Sequence, residues 1–158
     1  MTMDSIYIFL AKYLIFFIAI AVLVYGWKLP SNKRLKYAVF VIKAGVLAVV
    51  LAKIASMFYY HPRPFVASGI KPLIEHSADN GFPSEHTTYS MILALCLYAY
   101  DKKWGYWAIA AALLVGFGRI MVHVHSIIDI LGGILIAALS AYIAKKLIDK
   151  YYDRFVKA

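Results

Sequence analysis

Five apolar runs, separated by short charged or proline-containing stretches, constrain what this chain can fold into. They cover about 6–27, 37–60, 86–100, 106–122 and 126–148. A helix needs about 20 apolar residues to cross ~30 Å of hydrocarbon, since each residue rises about 1.5 Å. Inside that layer the helix also satisfies its own backbone N–H and C=O groups, which an open strand does not. Four runs reach or approach this length; the run at 86–100 is short unless it tilts or begins below the membrane surface. Hydrophobic residues make up 63% of the chain and the mean hydropathy is +0.73, which excludes an ordinary soluble domain. The expected fold is all-α, an integral-membrane helical bundle with about five transmembrane helices. Its 158 residues fit a single membrane-embedded domain, 1–158.

The formal charge of +9 does not point to nucleic acid, because the basic residues cluster in short segments between the runs and at the C-terminus. The segment 28–36 carries four basic residues and no acid, and the turn at 102–103 carries two. The tail carries five: Lys145, Lys146, Lys150, Arg154 and Lys157. With five spans these three segments fall on one side, which the positive-inside rule makes cytoplasmic. The other side then holds the 61–85 segment and the 119–126 junction. All five histidines, at 61, 76, 86, 123 and 125, lie on or near that side. The first run lacks a basic stretch ahead of it and a small-residue cleavage site, so it reads as a retained span. The single cysteine, Cys96, lies inside an apolar run as a small packing residue and makes no intrachain disulfide.

Arg119, His123, His125 and Asp129 fall within a twelve-residue stretch of an otherwise apolar region. Ionisable groups at a membrane boundary are expensive and usually functional. His125 and Asp129 are four residues apart, a spacing that places them on one face of a helix. An aspartate there accepts the proton on one imidazole nitrogen and leaves the other as base or nucleophile. Arg63 stands between Pro62 and Pro64, which keep the local backbone out of a helix. Ser84 is placed as an N-cap, with Glu85 and His86 in the first turn of the third span. Free N–H groups at a helix start suit an anion. Two arginines suit a tetrahedral oxyanion, and histidines with a carboxylate suit nucleophilic attack with proton transfer. No carboxylate cluster suited to magnesium is present. Zinc on His86, His123 and His125 is disfavoured by the neighbouring arginines and by the divergence of a His-x-His pair on a helix. No metal and no cofactor are expected.

In order and spacing these residues resemble the type-2 phosphatidic-acid phosphatase superfamily. Its motifs Lys-x6-Arg-Pro, Pro-Ser-Gly-His and Ser-Arg-x5-His-x3-Asp occur here as Arg63-Pro64, Pro83-Ser84-Glu85-His86 and Gly118-Arg119-x5-His125-x3-Asp129. The longer strings at 62–67 and 82–88 look most like the bacitracin-resistance branch, the undecaprenyl-diphosphate phosphatases, where an acidic residue commonly replaces the motif glycine. The motif lysine position falls on Ser56, with Lys53 about one turn further away, so the lysine is left out of the expected site. Gly118 replaces the motif serine, which implies one hydroxyl donor fewer for phosphate. Five spans are one fewer than the six of the family core.

The resemblance implies a metal-independent phosphatase that converts undecaprenyl diphosphate to undecaprenyl phosphate and phosphate. In it His125 attacks phosphorus and forms a phosphohistidine, Asp129 holds the His125 tautomer, and His86 protonates the leaving group and then activates water. Arg63, Ser84 and Arg119 hold the phosphoryl oxygens, and Glu85 brings an acidic side chain to the substrate. Phosphatidylglycerophosphate, phosphatidic acid or lipid A are the alternative substrates, and a non-catalytic lipid or anion carrier is the alternative of another class. Expected partners are the lipid diphosphate and membrane lipids; homo-oligomer formation is left open. The expected location is the cytoplasmic membrane, multi-pass, with the site on the extracytoplasmic face.

Overall fold

The first apolar run folds as two helices, α1 (Met3–Lys12) and α2 (Leu14–Lys28), in a computed structural model. The backbone of residues 2–156 and the side chains of residues 2–151 are described; of the basic tail, Lys157 and the Arg154 side chain lie outside the described residues. The two helices meet at Tyr13 with a bend of 43°, so the straight span expected over 6–27 is a broken one. α3 (Ser31–Phe58) begins directly after Pro30. The basic residues Lys33, Arg34 and Lys36 therefore lie in its first turns, where the sequence pattern predicts a loop. Pro30 ends one helix because it has no N–H, and its fixed φ serves equally well ahead of the next. A five-residue helix, α4 (Pro64–Ser68), interrupts the 61–85 segment. α5 (Glu85–Tyr100), α6 (Lys102–Met121) and α7 (Ile127–Val156) complete the chain. Among the described residues β structure amounts to one isolated bridge, Pro62 to Asn80. The all-α expectation holds.

α3, α6 and α7 are each long and apolar enough to cross a membrane, and α1 with α2 makes a fourth crossing if the bent pair is one span. α5 has 16 residues, a length of about 24 Å. It tolerates this because it is the central helix. Thr87, Thr88, Ser90, Met91, Ile92, Ala94, Cys96 and Leu97 are all buried on it, and α2, α3, α6 and α7 pack around it. Its buried hydroxyls are satisfied locally: Thr88 donates to Ser84 O at 2.9 Å and Ser90 to Thr87 O at 3.2 Å. About five spans therefore describes the bundle, with one span bent and the central one short.

On α3, α6 and α7 alanines face inward and many of the large aliphatic residues face outward. Ala44 and Ala48 of α3, Ala108 and Ala112 of α6, and Ala137 and Ala144 of α7 are buried. Ile42, Val46, Leu113, Leu131, Leu135 and Leu139 are exposed. In hydrocarbon the large side chains are solvated by lipid tails, and small inward residues let the helix backbones approach for dispersion contact. One close approach of this kind positions the site. A Cβ on Gly133 of α7 would stand 3.0 Å from Ser84 O and 2.9 Å from Thr88 Oγ1, so α7 lies directly on the start of α5.

This packing predicts unequal effects at an inward and an outward position. Ala112→Leu overfills a position with no exposure and should destabilise the bundle by about 1–3 kcal/mol. Leu135→Ala, at 70% exposure, should stay within about 0.5 kcal/mol. Unfolding in mixed detergent micelles, followed by tryptophan fluorescence, checks both.

Candidate active site

The C-terminal ends of α3 and α6 and the N-terminal ends of α5 and α7 converge at one end of the bundle, around a cavity of about 350 Å³. Arg63 is the first group fixed there. The flanking prolines hold its backbone extended, at φ −63° and ψ 146°. Its guanidinium is buried and bonded through all three nitrogens. Nε donates to Asp79 Oδ1 at 2.8 Å, and Nη2 pairs with the same oxygen at 2.8 Å and donates to Asn80 O at 3.3 Å. Nη1 donates to Val124 O at 3.0 Å and faces Nε2 of His125 at 3.2 Å. Arg63 thus links the 61–80 segment to the α6–α7 junction.

Asn80 sets the shape of that segment. Its Oδ1 accepts from the N–H groups of His61 and Phe82, each at 3.0 Å. Its Nδ2 donates to Ser56 O at 3.0 Å and Tyr59 O at 2.9 Å, which satisfies carbonyls at the end of α3. Asp79 is subject to opposing influences: burial pushes its carboxyl up, and hydrogen bonds from Ser77 and Arg63 outweigh this and hold it below the usual carboxylate range.

His125 sits between α6 and α7, not on a helix. The chain turns at His123, whose φ of 66° is uncommon for a side-chain-bearing residue. The N–H groups of Val124 and His125 both return to Arg119 O at 3.3 Å. The contact with Asp129 is therefore made across the N-terminus of α7, a correction to the helical face that the four-residue spacing predicts. Ser126 and Asp129 form a reciprocal capping box. Asp129 Oδ2 accepts the Ser126 N–H at 2.7 Å, and Ser126 Oγ accepts the Asp129 N–H at 3.4 Å. The capping box leaves Oδ2 3.5 Å from His125 Nδ1, an ion-pairing distance without a hydrogen bond. Burial pushes the His125 imidazole down to about 4; Asp129 pulls it upward, and Arg119 and Arg63 push it further down. His76 is lowered for the same reasons, burial first and then the two arginines, and its ring stands 6.0 Å from that of His125.

Arg119 is 2% exposed, and among the described residues its Nε and Nη2 have no hydrogen-bond partner. A buried, unpaired guanidinium is costly by several kcal/mol, and an anion in the cavity it lines offsets that cost.

Five of the seven predicted residues line this cavity: Arg63, Glu85, His86, Arg119 and His125. Asp129 is fully buried beside the His125 imidazole. Ser84 is not among the lining residues. It is fully buried, and its Oγ accepts from the N–H of Thr87 at 3.5 Å and from Thr87 Oγ1 at 3.1 Å, so it acts as the predicted N-cap of α5. Position 118 faces away from the cavity: a Cβ on Gly118 would stand 2.7 Å from Ala11 N, so α1 occupies the place of the motif side chain. Lys53 and Ser56 both line the cavity. The sequence motifs do not single out His61, His76, Asp79 or Asn80, and the structure brings all four to or beside the site. The two loop residues Asp79 and Asn80 carry no periodic signal. Among the described residues no three His, Cys, Asp or Glu side chains are grouped to hold a metal ion.

The sequence profile of the PAP2 superfamily matches residues 33–153. The chain belongs to the PAP2 superfamily. This PAP2 protein is a lipid phosphatase, a hydrolase of the membrane. It is 31% identical over 141 residues to the undecaprenyl-diphosphatase BcrC of Bacillus subtilis, covering 89% of this chain and 72% of that protein. It is 32% identical over 140 residues to the bacitracin transport permease protein BcrC of Bacillus licheniformis, covering 88% of this chain and 68% of the relative. The crystal structure of Aquifex aeolicus LpxE matches with a TM-score of 0.74 at 23% identity, over 90% of this chain and 85% of that one, and so shares its fold.

The environment of His125 predicts its protonation. Burial favours the uncharged ring, so the lone pair persists at pH 6 and is lost only as pH falls through about 4. Nitrogen-15 NMR of histidine-labelled protein, with His125→Ala to identify the resonance, should show this midpoint. A midpoint at or above 6.5 contradicts it.

Proposed function

We propose that this PAP2 phosphatase hydrolyses undecaprenyl diphosphate to undecaprenyl phosphate and phosphate, through a phosphohistidine on His125. The observation that carries the chemistry is the setting of His125: it lines the cavity uncharged, with Asp129 beside Nδ1 and Nε2 against Arg63. Nε2 is the nucleophile, because Nδ1 faces the carboxylate. As the phosphoryl group arrives, its oxygens draw Nη1 of Arg63 away from Nε2, and the lone pair is released. Nε2 then bonds to the terminal phosphorus as the bond to the lipid-side phosphate oxygen breaks. His86, at the start of α5, takes up a proton as the diphosphate brings its negative charge beside the ring, and passes it to that oxygen. The Asp129 carboxylate stabilises the positive charge that builds on the His125 ring, as the orienting carboxylate does in a Ser-His-Asp triad. In the second step His86 takes a proton from water, the water attacks phosphorus, and phosphate leaves with His125 restored.

Arg63 and Arg119 supply positive charge to the equatorial oxygens of the in-line transition state, which is where most of the rate enhancement in phosphoryl transfer arises. The unpartnered Nε and Nη2 of Arg119 are the groups with donors to spare. No step in this scheme is assigned to a metal ion. Ser84 contributes by capping the helix that carries Glu85 and His86, and Glu85 contacts the substrate from the cavity wall. The name of the Bacillus subtilis relative supports the undecaprenyl substrate. The clustering of basic residues at the opposite end of the bundle supports an extracytoplasmic site in the cytoplasmic membrane. The permease in one relative's name keeps a lipid or anion carrier as the second reading. A carrier needs the arginines and has no use for a nucleophile.

Phosphate release by detergent-purified protein, with EDTA present, tests the proposal. Undecaprenyl diphosphate should be hydrolysed in preference to phosphatidic acid. His125→Ala should abolish turnover with an unchanged melting temperature, and Arg119→Ala should lower kcat by about 100- to 1000-fold. Near-normal turnover by His125→Ala overturns the nucleophile; preference for phosphatidic acid overturns the substrate; no release from any lipid phosphate favours the carrier.

A further inference from the structure

Asp129 serves two histidines, and the shorter contact is not with the nucleophile. Its Oδ1 lies 2.9 Å from Nδ1 of His61, and its Oδ2 lies 3.5 Å from Nδ1 of His125. The carboxylate is fully buried, so water does not satisfy Oδ1. An ionised carboxylate only accepts, so Nδ1 of His61 must carry the hydrogen. The rest of His61 is held in place for this bond. Its N–H donates to Asn80 Oδ1 at 3.0 Å, its carbonyl accepts from Gly81 at 2.8 Å, and its ring stacks on Tyr59 at 6.0 Å with the planes 10° apart. The chain passes so close at Gly81 that a Cβ there would stand 3.1 Å from both Asp129 Oδ2 and His61 O. His61 does not line the cavity.

We propose that His61 is a positioning residue of this phosphatase. It anchors Oδ1 of Asp129, so that Oδ2 stays directed at His125 while positive charge builds on that ring. Without the His61 N–H, the carboxylate is left with an unsatisfied buried oxygen and rotates or takes up a proton, and either change weakens its hold on His125. The capping box holds Oδ2 alone and does not replace this anchor. The inference rests on His125 as nucleophile.

The test is the kinetics of His61 variants on undecaprenyl diphosphate. His61→Ala should lower kcat about tenfold, the order expected from one unsatisfied buried acceptor, with KM within twofold of wild type because His61 stays off the cavity wall. His61→Asn places an amide N–H where Nδ1–H stood and should recover most of the loss. His61→Gln reaches too far and should not. On an Asp129→Asn background, His61→Ala should add less than about twofold, because both act through one carboxylate. Wild-type kcat in His61→Ala, a rise in KM matching the fall in kcat, or equal rates for the Asn and Gln variants overturns the proposal while leaving His125 as nucleophile. An inactive wild-type protein, or a fully active His125→Ala, removes the nucleophile and this inference with it.

Discussion

A carboxylate sealed from water must be hydrogen-bonded or lose its charge, and Asp129 is sealed completely. Meeting that requirement joins the segments that carry the chemistry. Its side chain accepts from the start of its own helix through Ser126 and from the 61–80 segment through His61. Its backbone carbonyl accepts the N–H of Ser84 at 3.0 Å, which ties the start of α7 to the start of α5 and to His86 on it. His125 stands beside the same carboxylate. One residue therefore sets the relative placement of His125, His86 and the loop bearing Arg63.

The two arginines look equivalent in the sequence and are not equivalent in the fold. Arg63 has committed all its nitrogens to Asp79, Asn80, Val124 and His125, so it organises the site before any ligand arrives. Arg119 is as deeply buried and keeps two nitrogens unpartnered. Two guanidinium groups on one wall repel each other and depress the neighbouring imidazoles. Asp79 and Glu85 are the carboxylates on the same wall. Burial is the larger influence on His125, and the two arginines add to it in disfavouring the charged ring.

The bilayer accounts for the packing that holds these groups. Helices that turn alanine inward and leucine outward would be unstable in water, and lipid reverses the preference. The inward alanines and Gly133 let α7 and α6 close on α5, and a helix closed in on all sides can be short. The capped start of this short central helix buries Ser84 in the bundle and leaves Glu85 exposed and His86 half-buried on the cavity wall.

Much of this was legible in the sequence because it depends on local composition. Run lengths and hydropathy determine an all-α membrane bundle, since backbone groups in hydrocarbon have only their own helix to bond to. Ser84 before Glu85 determines a helix start, and the spacing of Arg63, His86, Arg119, His125 and Asp129 determines which groups carry charge to the site. The tertiary structure decided what each of them touches. The bend at Tyr13 and the shift of His125 off the helix are geometry that composition does not carry, and the pairing of His61 with Asp129 joins segments far apart in the chain. The 61–83 segment has no hydrophobic period to reveal its path. That path is set by Asn80 bonding the end of α3 and by Arg63 reaching the α6–α7 junction, 61 residues further along the chain.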